Sequence, residues 1–177
     1  MSRVAVIGAG SWGTAVSCLV AQNADEVVLW SHGQGSADAI NQTHHNPRYL
    51  ADVELPANVH ATGDLAGAAL GCSAVVLAAP STHLRNISHE LAESLGPDVP
   101  ALVLTKGIEA GTGLLMSEVA ASELGGEQLV AALSGPNHAE EVSLKMFSAA
   151  VLASPSEEIG ELLRAYVATP TFRVYLS

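Results

Sequence analysis

The chain has 177 residues, a formal net charge of −11, and a composition that is 49% hydrophobic and 14% charged. This length suits one domain with a large core, and the mean hydropathy of +0.31 argues against an unfolded chain. Seven Lys and Arg residues are too few for the cationic face that nucleic acid requires, so we expect no nucleic-acid partner.

The composition also bears on the compartment. No apolar run reaches the roughly 18 residues that a membrane span requires, and the run at residues 4–7 is too short for a signal peptide. Cys18 and Cys72 lie in apolar stretches without the spaced partners of a zinc site or a redox pair, so we expect reduced core thiols. Both observations favour a soluble, cytoplasmic protein.

Short apolar runs rich in β-branched residues alternate along the chain with stretches of helical periodicity. The runs predict strands at residues 3–7, 26–30, 58–61, 74–78, 101–105, 129–133, 149–152 and 172–176. The stretches between them predict helices at residues 14–23, 36–42, 64–70, 82–94, 114–124, 139–144 and 157–167, with Ser81 or Thr82 starting the fourth and Ser156 the last. Most of the predicted strands are apolar almost throughout. The sequence therefore predicts a doubly wound, mostly parallel α/β sheet with helices on both faces.

A glycine-rich turn joins the first predicted strand to the first predicted helix, with the sequence GAGSWG at residues 8–13. Gly8 permits a tight turn, Gly10 lets the backbone approach a diphosphate, and Gly13 lets the helix pack closely. The amides that open the helix would face the anion. In this strand-turn-helix context the pattern predicts a Rossmann-like dinucleotide site. The alternative is a turn whose glycines serve packing alone.

The end of the second predicted strand bears on the choice of cofactor. A strict NAD site has an Asp or Glu there, which holds the ribose hydroxyls and repels a 2′-phosphate. Here the sequence reads Trp30, Ser31, His32 and Gly33, with no carboxylate. We therefore predict NAD(P)H as cofactor, with dual or NADP-leaning use. His32 could also be a plain surface-loop residue, and Trp30 is interpreted as a core anchor rather than a platform for adenine.

Lys106 follows an apolar strand at the predicted carboxyl edge of the sheet, where open α/β folds bind their ligands. A lysine there could stabilise charge on a carbonyl oxygen or hold a substrate phosphate, but it could also be simply solvated. Gly135 and Pro136 form a turn after the next strand that could serve a ligand or only reverse the chain. His44, His45 and His60 are interpreted as loop residues, because their spacing does not suit a metal site, and we expect no metal.

Three further segments are more specific than the glycine-rich turn. They are NPRYL at residues 46–50, in a long irregular loop predicted at residues 43–56, TKGIE at 105–109, and LSGPNHAEE at 133–141. With the turn at 8–13, these segments resemble the bacterial NAD(P)-dependent glycerol-3-phosphate dehydrogenases in order and spacing. The resemblance covers nearly the whole chain, because it extends from Met1 to the segment TPTFRVY at 169–175.

The resemblance implies a function and a set of site residues. It implies that the protein reversibly reduces dihydroxyacetone phosphate to sn-glycerol 3-phosphate with NAD(P)H, for phospholipid synthesis. The implied cofactor-binding positions are Gly8, Gly10, Ser11, Trp12, Gly13, His32, Gly33, Tyr49, Lys106 and Ala139. The implied substrate-binding positions are Lys106, Gly135 and Asn137.

The chain departs from the family's pattern at two positions. The family commonly has Arg where this chain has His32, which weakens the expected grip on a 2′-phosphate. It often has Ser or Thr where this chain has Asn137, although an amide can offer a comparable hydrogen bond.

The resemblance also implies a domain organisation. The family's general acid/base is a lysine in a helical C-terminal domain, so we expect residues 1–177 to form the N-terminal dinucleotide-binding domain only. Lys106 would then support catalysis, and the segment alone would be inactive. The resemblance is compatible with a homodimer of the full-length protein. The alternatives are a free-standing NAD(P)-sensing module, or another two-domain dehydrogenase of the ketopantoate reductase or 6-phosphogluconate dehydrogenase type.

Overall fold

Strands and helices alternate along the chain in the computed structural model, which describes residues 1–126 and 129–177. The strands are β1 (Arg3–Ile7), β2 (Glu26–Trp30), β3 (Val59–Thr62), β4 (Ala74–Leu77), β5 (Ala101–Val103), β6 (Val130–Ser134), β7 (Ser148–Ala153) and β8 (Phe172–Leu176). The helices are α1 (Ser11–Val20), α2 (Gln34–Thr43), α3 (Leu65–Ala69), α4 (Ser81–Ala92), α5 (Met116–Leu124), α6 (Ala139–Ser143) and α7 (Glu157–Val167). Each predicted strand and helix is confirmed as an element, with several bounds shifted.

The eight strands form one sheet in the order β3-β2-β1-β4-β5-β6-β7-β8. All neighbouring pairs are parallel except β6 and β7, which are antiparallel. The predicted mostly parallel, doubly wound sheet is therefore confirmed. The sheet extends from β1 to one side through β2 and to the other side through β4. The strand order therefore reverses between β1 and β4, and a crevice forms outside the carboxyl ends of strands at such a point.

Helices cover both faces of the central sheet, and each face has its own core. Val4 and Val6 of β1 pack into the core beneath α1, α2, α6 and α7. Ala5 and Ile7 of the same strand pack into the core beneath α3, α4 and α5. All four side chains are fully buried, which explains why β1 is apolar throughout.

The last two strands, β7 and the edge strand β8, differ from the centre of the sheet, because their side chains alternate between buried and exposed. Helix α7 packs against one face of this pair. On the other face, Val151 and Tyr175 are about half exposed, at 47% and 53%. With Met146 and Phe147, they leave an apolar surface beside the carboxyl end of β6.

Two helix starts differ from the prediction. Helix α1 begins at Ser11 rather than at residue 14, because extended Gly10 is its N-cap and the helix leaves the glycine-rich turn directly. Helix α4 begins at Ser81, one residue before the predicted bound, so the start signal at Ser81 is confirmed, although the N-cap residue is Pro80 and no side chain caps the helix. The side chain of Ser156 does cap α7, by accepting the amide hydrogen of Ile159.

Among the described residues, no helix combines the length and apolarity that crossing a membrane would need.

Candidate functional site

The glycine-rich turn is packed so tightly that two of its glycines have no room for a side chain. Gly8 has a φ of +119°, and a Cβ there would lie 2.7 Å from the carbonyl oxygen of Ala78. A Cβ on Gly13 would lie 1.8 Å from the carbonyl oxygen of Gly8. The structural roles predicted for Gly8 and Gly13 are therefore confirmed.

Gly10 differs from its neighbours because the space beside it is open. No atom lies within 4 Å of the position that a Cβ would take. Gly10 is the N-cap of α1, it offers no side-chain cap, and the first turn of the helix contains no acidic residue. The first amides of a helix have no intrahelical partner, so this end of α1 can receive an anionic group.

Two of the residues predicted to lie near the adenosine ribose, His32 and Gly33, follow the end of β2. Gly33 has a φ of +100° and is the N-cap of α2, while the His32 side chain is exposed beside it. Trp30 is buried, and its indole Nε1 donates a hydrogen bond of 3.2 Å to the carbonyl oxygen of Gly63. The interpretation of Trp30 as a core anchor is therefore confirmed. The imidazole of His32 packs edge-on against Trp30, with 6.1 Å between the ring centroids.

Lys106 lies in a crevice that also contains the start of α1. The ammonium of Lys106 donates a hydrogen bond of 2.9 Å to the carbonyl oxygen of Gly135. The crevice has a volume of about 280 Å³ and is lined by Ser11, Trp12, Leu104, Lys106, Leu133, Ser134, Gly135, Asn137, His138, Ala139 and Glu140. One ligand could therefore contact both the glycine-rich turn and Lys106.

The predicted site residues thus fall into two groups, one that lines the crevice and one that lies outside it. Ser11, Trp12, Lys106, Gly135, Asn137 and Ala139 line this crevice. His32, Gly33 and Tyr49 lie outside it, at the end of β2 and in the loop between α2 and β3. Together the two groups of residues lie along the carboxyl edge of the sheet. An extended dinucleotide bound along that edge could contact both groups.

The turn after β6 is shaped by Gly135. A Cβ at this position would lie 2.6 Å from Nδ2 of Asn137 and 2.8 Å from the carbonyl oxygen of Ala149. The absence of a side chain therefore lets Asn137 fold back beside the end of β6. Glu140 and Glu141 occupy the first turn of α6 and are exposed to solvent.

An ion cluster around Glu109, in the same TKGIE segment as Lys106, was not predicted from the sequence. Arg85 of α4 makes two hydrogen bonds to Glu109, from Nε at 2.8 Å and from Nη2 at 2.7 Å. Its Nη1 pairs with Glu123 of α5, whose carboxylate also contacts Nδ1 of His89 at 3.0 Å. Glu109 of the TKGIE segment is therefore a structural anchor, which ties the segment after β5 to α4.

This cluster predicts a pH-dependent contribution to stability. The hydrogen bonds from Arg85, and then from Thr112, lower the pKa of Glu109 from 4.5 to about 2. Because the folded-state pKa is depressed, the carboxylate stabilises the fold above about pH 4.5, and the contribution is lost as the pH falls toward 2. Thermal unfolding of the wild type and of Glu109→Gln should therefore differ most above pH 4.5, with the wild type more stable, and converge at lower pH.

The matched control for this test is Glu90→Gln, which removes an exposed carboxylate from α4. Its melting temperature should follow that of the wild type at every pH. A constant difference between the wild type and Glu109→Gln over the whole range would contradict the assignment of the ion pair.

The histidines and cysteines were considered as possible metal ligands or reactive groups. Among residues 1–126 and 129–177, no group of three or more His, Cys, Asp or Glu side chains is arranged to hold a metal ion. His44 ends α2 with a φ of +52°, whereas His60 lies on β3, so its interpretation as a loop residue is wrong. Both cysteines are free, and burial raises the pKa of the Cys18 thiol to about 11. This thiol is therefore protonated and unreactive at neutral pH.

The chain is similar to known proteins over almost its whole length. The model of the family described as NAD-dependent glycerol-3-phosphate dehydrogenase N-terminus matches residues 3–160. Glycerol-3-phosphate dehydrogenase, NAD(P)+, of Corynebacterium urealyticum is 42% identical over 178 residues, which cover 100% of this chain and 54% of that protein. The enzyme of the same name from Streptomyces coelicolor is 42% identical over 175 residues, which cover 98% of this chain and 52% of the relative.

Solved structures agree with the sequence comparison. The crystal structure of glycerol-3-phosphate dehydrogenase from Coxiella burnetii has a TM-score of 0.92 and 30% identity, and the match covers 99% of this chain and 54% of that chain. This chain therefore spans about half the length of the relatives that it matches.

Proposed function

The chain belongs to the NAD-dependent glycerol-3-phosphate dehydrogenase family, and on that premise we propose that it is the cofactor-binding half of an enzyme that interconverts dihydroxyacetone phosphate and sn-glycerol 3-phosphate. The observation that carries the proposal is the crevice that joins the start of α1 to Lys106 and Asn137. The enzyme would act in the cytoplasm and supply sn-glycerol 3-phosphate for phospholipid synthesis.

We propose that the cofactor lies along the carboxyl edge of the sheet, with its diphosphate at the start of α1. The open space beside Gly10 and the uncapped helix start support this placement. Local amides and the helix dipole must then outweigh the net charge of −11, which repels anions. The relatives are named for NAD(P)+, and the absence of Asp and Glu from residues 30–33, at the end of β2, suits the use of both NADH and NADPH.

The proposed substrate subsite consists of Lys106, Gly135 and Asn137. Bound NAD(P)H would supply the hydride that reduces the substrate carbonyl. The Lys106 ammonium would donate a hydrogen bond to the carbonyl oxygen and stabilise the negative charge that develops there as the hydride arrives. In the present structure the Lys106 ammonium donates a hydrogen bond of 2.9 Å to the carbonyl oxygen of Gly135, which positions it in the crevice. The side-chain amide of Asn137 would help to orient the substrate.

We propose that proton transfer belongs to a lysine in a second, helical domain of the full-length protein. The relatives' greater length supports this division of labour. The apolar surface next to Asn137 also supports it, because the side chain of Phe147 is 90% exposed there. Phe147, Gly135 and Tyr175 line a groove on this surface. Residues 1–177 alone should then bind cofactor but turn substrate over poorly.

The proposal is tested by assaying the full-length protein for oxidation of NADH and NADPH. We expect dihydroxyacetone phosphate to support oxidation of both cofactors, with affinities within about tenfold of each other, because no carboxylate rejects the 2′-phosphate. Ketopantoate with NADPH and 6-phosphogluconate with NADP+ are the control reactions and should be inactive. Failure of dihydroxyacetone phosphate with both cofactors would overturn the assignment, and strong selectivity for NADH would refute the dual use.

A further inference from the structure

One buried asparagine joins the loop between α2 and β3 to the glycine-rich turn. Asn46 is 3% exposed, and it is the buried polar residue of the loop at residues 44–58, where the apolar Leu55 is also buried. Its Nδ2 donates hydrogen bonds to the carbonyl oxygen of Ala9 at 2.9 Å and to Oγ1 of Thr14 at 2.8 Å. Its Oδ1 accepts the amide hydrogens of Arg48 and Tyr49, both at 3.2 Å. The side chain therefore uses both donors and both acceptor sites of its amide.

The partners of Asn46 belong to two segments that are distant in sequence. Ala9 and Thr14 flank the start of α1 and lie 37 and 32 residues from Asn46. Arg48 and Tyr49 belong to the NPRYL segment, where the Arg48 guanidinium lies 5.5 Å from the centroid of the Tyr49 ring. A single amide thus sets the position of the NPRYL segment relative to the turn.

We propose that Asn46 is a positioning residue for cofactor binding, which acts by fixing the Ala9 carbonyl group and the Tyr49 backbone in one arrangement. The Ala9 carbonyl group belongs to the same peptide unit as the Gly10 amide, so the hydrogen bond to Asn46 sets the direction in which that amide points. The hydrogen bonds to residues 48 and 49 place Tyr49 at the edge of the same site. This inference rests on the proposed cofactor site and deepens it.

A buried asparagine could instead serve stability alone, and Asn58 provides the control for that role. The Nδ2 of Asn58 also donates two hydrogen bonds, to the carbonyl oxygens of Ala21 and Ala24, each at 3.0 Å. These partners follow the last turn of α1, at the end of the helix opposite to the glycine-rich turn. Asn58→Ala therefore removes a similar bridge without touching the site.

The test measures NADH and NADPH affinity by calorimetry in the full-length protein, together with the melting temperature. Asn46→Ala should weaken both cofactors about tenfold or more, because small displacements of positioning groups have large effects on a bound ligand. Asn58→Ala should lower the melting temperature by a comparable amount and leave both affinities within about twofold of the wild type. Hydrogen exchange of the free protein should accelerate at residues 9–13 and 46–50 in Asn46→Ala, but not in Asn58→Ala.

Thr14→Val is a milder variant that keeps the test decisive if Asn46→Ala does not fold. Thr14 is fully buried, and valine preserves its shape while removing the Oγ1 that accepts from Asn46. We expect a several-fold loss of affinity, smaller than in Asn46→Ala, because the bond to Ala9 remains. Unchanged affinity in a folded Asn46→Ala protein would overturn the inference alone, as would an equal loss in Asn58→Ala. A wild type that binds neither cofactor would overturn the proposed function itself.

Discussion

Gly13→Ala should destabilise the domain by about 3 kcal/mol or more and abolish binding of NADH and NADPH. The added Cβ would lie 1.8 Å from the carbonyl oxygen of Gly8, and both groups belong to backbone that cannot yield without moving β1 away from α1. The same movement would displace the amides at the start of the helix. Chemical denaturation and calorimetric titration of the purified variant measure the two effects separately.

Gly10→Ala is the matched control, because its Cβ would enter open space. Gly10 has a φ of −77°, which alanine adopts readily, so we expect a change in stability within about 1 kcal/mol. The methyl group would occupy the space that the diphosphate needs, and both cofactors should bind at least tenfold more weakly. Wild-type affinity in Gly10→Ala would show that the diphosphate lies elsewhere, and wild-type stability in Gly13→Ala would contradict the packing of the turn.

Lys106→Gln should lower kcat with dihydroxyacetone phosphate about 100-fold or more in the full-length protein. The substitution keeps a hydrogen-bond donor near Gly135 but removes the positive charge that would stabilise the developing oxyanion. The affinity for NAD(P)H should fall much less than kcat, because the amides at the start of α1 remain. Steady-state kinetics, with cofactor titrations in parallel, separate the two quantities.

Lys145 offers the control for this second substitution, since it is the other lysine of the chain. It lies after α6 and does not line the crevice of Lys106. Lys145→Gln removes the same charge from the protein and should retain kcat within about twofold. Equal losses in the two variants would indicate an effect of net charge, and a fully active Lys106→Gln protein would exclude the proposed role of Lys106.

The fold could be predicted from the sequence because the strands of a covered parallel sheet are apolar on both faces. Val4, Val6, Ala5 and Ile7 face opposite cores, and their uninterrupted run signals this directly. The start of α1 could not be located in the same way, because Ser11 and Gly13 interrupt the apolar periodicity although they are helical. Helix α4 also lacks a side-chain cap, but the polar residues Ser81 and Thr82 after Pro80 located its start to within one residue.

The candidate site was only partly accessible to sequence reasoning. The glycine-rich turn and the segments around Lys106 and Asn137 carry their pattern locally, so they could be recognised one by one. The link from Asn46 to Ala9 and the pair between Arg85 and Glu109 join residues 37 and 24 positions apart, and no local spacing encodes them. Such contacts depend on how the loops and helices are arranged in three dimensions, which the periodicity of one segment does not specify.

In the proposed complex, a dinucleotide diphosphate binds the amides that open α1, despite the net charge of −11. Crystals of the protein soaked with NADPH, and separately with NADH, would show where the diphosphate binds. We expect diphosphate oxygens within about 3 Å of the backbone amides beside Gly10, with the nicotinamide directed toward Lys106. A cofactor bound away from this turn, or a crevice filled by protein side chains, would contradict it.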